Sequence, residues 1–179
     1  MTHRIYVKST RLRDWDYTSA AWYFVTICTR DRLRAFGEVI NDEMRLSLAG
    51  RIVSEEWLRA QEVRPNVSLD AFVVMPNHIH GIIVIEESPG RALVSATHRV
   101  ASTRHPRLNA ISLGSIMGQF KSIATKRIWE AGFRDFGWQP RFYDHIIRRE
   151  PSLDAIRTYI SENPMKWTLD KDNLEGLRM

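Results

Sequence analysis

Two apolar segments joined by a Pro-Asn pair constrain the fold of this chain most strongly. Residues 69–75 and 78–85 are rich in Val, Ile and other apolar side chains, and only Pro76-Asn77 separates them. Short apolar runs bounded by turn residues are typical of buried β-strands, and a two-residue connection makes a β-hairpin. The sequence therefore predicts a sheet with this hairpin at its centre.

Two further strands are predicted outside the hairpin. Residues 21–28 are dense in aromatic and β-branched side chains and are followed by charged residues, which indicates a first strand. Residues 138–147 indicate a fourth strand, and Pro140 within it favours a position near a sheet edge, because proline cannot donate a backbone hydrogen bond.

Three helices are predicted from apolar residues that recur at helical spacing. They cover residues 44–63 after a cap at Asn41-Asp42, residues 112–131 after a cap at Ser112, and residues 151–163 ahead of Pro164. The resulting order predicts an α+β fold, a ferredoxin-like split β-α-β sandwich. Its mainly antiparallel four-stranded sheet should carry helices on one face, with an additional C-terminal helix. We expect the other face to be free for a substrate.

The composition is that of a soluble globular domain. The 179 residues are 44% hydrophobic and 26% charged, and the single cysteine, Cys28, allows neither an intrachain disulfide nor a Cys-based zinc site. We expect one domain over residues 1–179, with a basic N-terminal arm at residues 1–20 and a mobile insertion loop at residues 86–111. Neither a membrane span nor a secretory signal is recognisable, so a cytoplasmic protein without membrane contact is expected.

The excess of basic residues indicates an anionic partner. Lys and Arg number 26 against 21 Asp and Glu, a formal net charge of +5. The N-terminal arm carries Arg4, Lys8, Arg11 and Arg13, and the predicted loop carries Arg99, Arg104 and Arg107. Both segments suit phosphate contacts, although on charge alone a merely solvated arm explains them equally well.

His78 and His80 are candidate metal ligands. On a strand, residues two apart point to one face, so both imidazoles share a face while Ile79 points to the other. Leaving two imidazoles without partners in so apolar a hairpin would be costly. Two histidines are too few for a catalytic metal, so a further ligand must converge on them.

Tyr159 and Asn163 in the last helix are candidates to complete the site. Their i, i+4 spacing stacks them on one helix face just before Pro164. Asn163 can offer an amide oxygen to a hard cation, and Tyr159 an oxygen nucleophile beside it. Singly, Tyr159 could be a packed core aromatic and Asn163 a helix cap, so the hypothesis depends on their combination with the two histidines.

Three separated motifs resemble, in order and spacing, those of the REP-associated tyrosine transposases. They are Val74-Met75-Pro76-Asn77-His78-Ile79-His80-Gly81, Trp138-Gln139-Pro140-Arg141-Phe142-Tyr143-Asp144-His145-Ile146-Ile147-Arg148 and Tyr159-Ile160-Ser161-Glu162-Asn163-Pro164. These enzymes are relatives of the single-tyrosine transposases of small insertion sequences, within the His-hydrophobic-His nuclease superfamily. The resemblance covers residues 21–167 but matches nothing in residues 86–111.

The resemblance implies a metal-dependent single-stranded DNA endonuclease and strand transferase that acts at hairpin-forming repeats. Tyr159 would form a 5′-phosphotyrosine intermediate, and His78, His80 and Asn163 would hold Mg²⁺ or Mn²⁺. In the related insertion-sequence enzymes the position of Asn163 is typically glutamine, so this chain departs from the pattern with a shorter side chain. Single-stranded DNA is the expected partner, and the protein would be a monomer or a homodimer.

Other residues of the motifs have weaker candidate roles. Tyr143 is a competing nucleophile that we interpret as a packing residue, and His145, on the same strand face, is a possible phosphate contact or proton carrier. Lys121, Arg141, Arg148 and Arg149 are candidates for DNA contacts, as are Lys126 and Arg127 unless these are solvated helix residues.

Two other functions fit the same sequence. The first is a non-catalytic ferredoxin-like module that binds single-stranded nucleic acid, in which exposed aromatics such as Tyr23 or Tyr143 stack on bases. The second is a small metal-dependent hydrolase in which Tyr159 is structural.

Overall fold

The structure, a computed structural model, describes Leu12, residues 14–87 and residues 112–170. In chain order its elements are β1 (Ala21–Cys28), β2 (Gly37–Ile40), β3 (Glu43–Leu46), α1 (Leu48–Glu62), β4 (Val67–Met75), β5 (His78–Ile85), α2 (Leu113–Glu130), β6 (Tyr143–Ile147) and α3 (Glu150–Glu162). The main sheet has the order β4-β5-β1-β6, and all of its pairings are antiparallel. The predicted α+β fold with a four-stranded antiparallel sheet is confirmed.

The main core lies between one face of this sheet and the helices α1 and α2. Alternate residues of the central strands, such as Val25 and Ile79, point into it and meet Trp57 of α1 and Phe120 of α2. β5 is buried along its whole length, as expected for a central strand. The alternation of side chains along the strand therefore fixes which residues of β5 point to the opposite face of the sheet.

The predicted start of the first helix at residue 44 is wrong. Asn41 and Asp42 do not cap a helix but form the turn of a small hairpin between β2 and β3, and both have positive φ, 51° and 63°. Two such residues are typical of a type I′ hairpin turn, a conformation that Asn and Asp tolerate. α1 begins at Leu48, where the Ser47 hydroxyl accepts a hydrogen bond from the Gly50 amide at 3.1 Å.

The fourth strand is shorter than predicted. β6 begins at Tyr143, whereas Trp138 makes only an isolated bridge with Thr29. Pro140 lacks an amide donor and Arg141 has a φ of 66°, so the backbone cannot continue as a strand through these residues. The predicted edge position of this strand is confirmed, because β6 pairs only with β1 in the described sheet.

α3 packs on the sheet face opposite α1 and α2, so the expectation that this face would be free for a substrate is wrong. Leu153 and Ile160 of α3 form a second small core with Ile82 and Ile147 of the sheet. Because the apolar stripe of α3 must be buried, the helix packs it against the sheet face opposite the main core. Only the part of that face that α3 leaves uncovered is open.

An ion pair anchors α3 to the edge strand β4. The Arg157 guanidinium donates to both carboxylate oxygens of Asp70, each at 2.8 Å. Asp70 lies at a register shift of β4 between Leu69 and Phe72, where an extra residue changes the direction of the side chains along the strand.

Among the residues that the structure describes, no helix combines the length and the apolar character needed to cross a membrane.

Candidate active site

The structure brings His78 and His80 together on the sheet face that α3 covers in part. The cross-strand partners of His78 and His80 on β1 are Cys28 and Thr26. The two imidazole rings have centroids 4.4 Å apart, and both residues are at most 1% exposed. The site is therefore built on a rigid central strand whose opposite face is fixed by the main core.

Asn77 sets the orientation of His78. Its Nδ2 donates to the Arg32 carbonyl at 3.3 Å, so its Oδ1 is the atom that lies 2.8 Å from His78 Nδ1. Because a carboxamide oxygen only accepts, His78 Nδ1 carries the proton and Nε2 carries the lone pair. Asn77, in the turn of the hairpin, thus orients His78 so that Nε2 is its ligand atom.

His80 connects the sheet to the last helix. Its Nδ1 lies 2.8 Å from the Thr26 hydroxyl and its Nε2 lies 3.1 Å from the Tyr159 hydroxyl. Tyr159 is 38% exposed, so its hydroxyl is held at the histidine while part of its ring faces solvent. The structure therefore places the predicted nucleophile in direct contact with a predicted metal ligand.

Asn163 follows one helical turn after Tyr159, at the C-cap of α3. The residue is 2% exposed, and its buried Oδ1 accepts no hydrogen bond from the residues that the structure describes. Buried carboxamide oxygens normally have a donor or a cation as partner. Asn163 is thus both the helix cap and an oxygen suited to a cation.

Asp170 is a candidate ligand that the sequence reasoning missed. A short 3₁₀ turn, Trp167–Leu169, follows α3 and leads to Asp170, whose Oδ2 lies 3.8 Å from His78 Nε2. Ligand atoms of His78, His80 and Asp170 all lie within 4.8 Å of one another. The one available signal was Trp167, because an aromatic residue just after the helix indicates that the chain turns back onto the sheet; its ring centroid is 6.0 Å from that of His78.

This donor set fits a divalent cation. Two ligands of one ion at about 2.1 Å each cannot be more than about 4.2 Å apart. The 3.8 Å between His78 Nε2 and Asp170 Oδ2 satisfies that limit, and the bound of 4.8 Å for the whole set means that small side-chain movements would close it around an ion. Two imidazoles with one carboxylate suit Mn²⁺ and other transition metals better than Mg²⁺, which prefers oxygen ligands. The buried Asn163 oxygen adds a further hard donor.

Tyr143 and His145 lie beside this cluster, on the same sheet face. Both are exposed, Tyr143 to 45%, and the Tyr143 ring packs edge-on against Phe24. Tyr23 is fully buried, and its hydroxyl donates to the Ser19 carbonyl. Burial raises the pKa of Tyr23. Its ring cannot stack on a base, so of the two aromatics named for the alternative binding function Tyr143 is the accessible one.

The predicted DNA-binding cations differ in their surroundings. Arg141, Arg148 and Arg149 are exposed, and the Arg148 guanidinium lies over the ring of Trp15. The Lys121 ammonium donates to the carbonyls of Gln139 and Arg141 at 2.8 and 2.6 Å, and burial lowers the pKa of Lys121 to about 8. Lys121 therefore supports the loop before β6.

Other basic residues are paired or lie outside the described residues. Arg127 donates to Glu55 and Glu56, each at 2.6 Å, and Lys126 lies 3.9 Å from Glu130. The predicted contacts Arg4, Lys8, Arg11, Arg13, Arg99, Arg104 and Arg107 lie outside the described residues, as do most of the predicted N-terminal arm and insertion loop.

Comparisons with known proteins agree with the motifs. No model of a known protein family matches the chain. An uncharacterized protein of Haemophilus influenzae is 36% identical over 166 residues, which cover 92% of this chain and 91% of that protein. A second protein of the same organism, assigned as a REP-associated tyrosine transposase, is 26% identical over 84% of this chain and 74% of its own length.

A solved structure shares the fold. A REP-associated tyrosine transposase bound to a REP hairpin superposes with a TM-score of 0.60, over 92% of this chain and 77% of that one, at 21% sequence identity. The likeness shows that the sheet and helices described above have the same fold as that protein.

Proposed function

We propose that this chain, which belongs to the family of REP-associated tyrosine transposases, cleaves and rejoins single-stranded DNA at hairpin-forming repeats. The observation that carries the proposal is the contact of 3.1 Å between the Tyr159 hydroxyl and His80 Nε2. It joins an accessible nucleophile to a pair of converging imidazoles. The solved relative is bound to a REP hairpin, and we propose a ligand of the same class here.

Tyr159 is the proposed nucleophile. Its oxygen attacks the scissile phosphorus, a Tyr–O–P bond forms, and the bond from phosphorus to the 3′ oxygen of the preceding nucleotide breaks. The 3′ oxygen leaves with the bonding electron pair and takes up a proton from solvent. The products are a 5′-phosphotyrosine and a free 3′-hydroxyl, which can attack the intermediate to reverse the step. A phenol has a pKa near 10 and is mostly protonated at neutral pH, so the reaction needs an acceptor for its proton.

His145 is the proposed acceptor for that proton, because it is exposed and lies on the same sheet face. His80 serves as a metal ligand instead. With its Nδ1–H donating to the Thr26 hydroxyl at 2.8 Å, Nε2 has the lone pair that would bind a cation beside the Tyr159 hydroxyl, and the same lone pair cannot also take a proton.

The proposed metal site uses His78, His80 and Asn163, and Asp170 adds a carboxylate to this set. A divalent cation there would supply charge stabilisation at the non-bridging phosphate oxygens. Mn²⁺ or Mg²⁺ is the proposed ion. Asn77 and Thr26 orient the two imidazoles, and orientation by such outer groups commonly contributes ten- to a hundredfold in metal affinity.

Covalent capture tests the proposal. The chain is incubated with a labelled single-stranded library in Mn²⁺, and attached DNA is recovered after denaturation and mapped by mass spectrometry. We expect an adduct on Tyr159, none in EDTA and none in Tyr159→Phe, which keeps the ring and removes only the hydroxyl. Tyr143→Phe, the matched control, should retain the adduct.

Two outcomes would contradict parts of the proposal. DNA attached to Tyr143 would refute the nucleophile assignment alone. Tight binding to hairpin DNA without any adduct in wild type would refute catalysis and support the non-catalytic binding module.

A further inference from the structure

We propose that the exposed ring of Tyr143 is a stacking platform for a nucleobase of the single strand that enters the site. The proposal rests on the proposed function, because the strand is the one that Tyr159 would cleave. It assigns to edge strand β6 a direct role in holding the DNA.

Tyr143 lies in one row with the reacting groups. Thr26 pairs with His80 on one side and with Tyr143 on the other, so the three side chains leave the same face of the sheet. The ring of Phe24 lies between them. Its centroid is 6.4 Å from that of Tyr143, 6.1 Å from that of Tyr159 and 5.5 Å from that of His80.

The ring of Tyr143 is both accessible and held in place. Tyr143 lies on an edge strand and is 45% exposed. Burial therefore contributes little to the stabilisation that this large aromatic side chain provides. Phe24 meets it at an interplanar angle of 71°, an edge-to-face contact that leaves the rest of the ring surface uncovered. A base stacking on this ring would cost little ordering entropy, because a tyrosine side chain has few torsions to fix.

The charges around β6 fit a nucleic-acid strand. Arg141 precedes the strand, Arg148 and Arg149 follow it, and all three are exposed. Exposed His145 is the next residue on the Tyr143 face. Proteins that bind single-stranded DNA combine guanidinium groups that contact phosphates with aromatic rings that stack on bases. The β6 strand has both, because it presents an aromatic ring between cations at its two ends.

A comparison of two oligonucleotides isolates the stacking. One is a fluorescent thymidine oligomer of about twelve nucleotides, and the other is an abasic oligomer of the same length, which keeps the phosphates but has no bases. Affinities are measured in EDTA in the Tyr159→Phe background, where no cleavage occurs. The ratio of the two affinities reports the contribution of the bases.

We expect Tyr143→Leu to reduce that ratio roughly 5- to 150-fold, the effect of losing one base–aromatic stack. Tyr143→Phe should keep the ratio. The matched control is Phe133→Leu, because Phe133 is similarly exposed, to 49%, but follows α2 and lies outside the β6 face. A Tyr143→Leu variant that leaves the ratio unchanged, or that weakens both oligomers equally, would overturn the proposal.

Photocrosslinking provides an independent readout. A thymidine oligomer with one 5-iodouracil crosslinks on irradiation to an aromatic ring stacked against it, and we expect the crosslink on Tyr143. A crosslink elsewhere would overturn the platform. A base preference and crosslink at Tyr143 without any covalent adduct on Tyr159 in wild type would instead keep the platform and refute the proposed strand cleavage.

Discussion

Gly81 tests how packing beneath the sheet holds the histidine strand in place. The residue follows His80 in β5 and faces α1. A methyl group added at its Cα would lie 2.3 Å from Trp57 Cζ2 and 3.0 Å from Cε2 and Cη2 of the same indole. Carbon atoms in contact are about 3.5–4.0 Å apart, so strand and indole would have to separate by more than about 1 Å.

The indole has no room to move. Trp57 is 1% exposed, stacks on Phe72 and meets Phe120 edge-on, with centroid separations of 6.1 and 5.5 Å. Overpacking of a core typically costs about 1–3 kcal/mol, and a clash with a fixed ring belongs at the upper end. We therefore expect Gly81→Ala to lower the free energy of unfolding by about 3 kcal/mol.

Urea denaturation with Gly118→Ala as the matched control measures this effect. Gly118 is an exposed residue of α2, and an added Cβ there meets nothing within 4 Å among the described atoms. The same chemical change should stabilise the protein by about 0.5–1 kcal/mol there, because alanine is the better helix former. The two variants are thus expected to shift the midpoint in opposite directions.

A double-mutant cycle identifies the cause. Trp57→Phe removes the indole atoms that the new methyl group would meet, so Gly81→Ala should cost about 1–2 kcal/mol less in that background. Additivity within about 0.5 kcal/mol would refute the reasoning. A stabilising effect of Gly81→Ala in the wild type would refute it as well.

Three further predictions follow from the site and its supports. Arg157 donates hydrogen bonds to Asp70 and holds the pKa of that carboxyl below its usual value. The pair should therefore stabilise α3 fully above about pH 5 and lose this effect as the pH falls through the lowered pKa. Amide exchange of α3 should become faster in acid in the wild type, and less so in Asp70→Asn. Calorimetric titration should show tighter binding of Mn²⁺ than of Mg²⁺, and Asp170→Asn should weaken Mn²⁺ binding by roughly tenfold or more, whereas an unchanged affinity would exclude the carboxylate as a ligand. Deletion of residues 1–13 should flatten the salt dependence of DNA binding, and an unchanged slope would mean that the arm is merely solvated.

Local patterns predicted the hairpin of β4 and β5 well. Its turn is marked by Pro76-Asn77, and most residues of its strands are apolar, so the pattern does not depend on distant residues. The small hairpin of β2 and β3 was missed for the opposite reason. Its strands have four residues each, and Met44 and Leu46 merge into the helical spacing that follows, so only the positive φ at Asn41 and Asp42 distinguishes a turn from a cap.

Long-range pairs could not be predicted from periodicity. Arg157 and Asp70 are 87 residues apart, and which face of the sheet α3 covers depends on such pairs. The apolar stripe of α3 showed that the helix must be buried, but both faces of the sheet were available to it. The i, i+4 spacing of Tyr159 and Asn163 predicted a shared helix face, and only the structure shows Tyr159 against His80.

In the proposed metal site, Asp170 would compensate for the shorter amide that this chain has at the position where the related insertion-sequence enzymes typically have glutamine. Asn163 lacks one methylene, so its oxygen reaches less far from the helix towards the strand. Asp170 reaches the same cluster from beyond the helix end, with its carboxylate 3.8 Å from His78 Nε2. A carboxylate also supplies the negative charge that two neutral imidazoles and an amide cannot, and a dication in so buried a place needs that compensation. We therefore expect Asp170→Asn to lower the affinity for the metal ion more than Asn163→Ala does. The reverse order of the two affinities would make Asn163 the principal oxygen ligand.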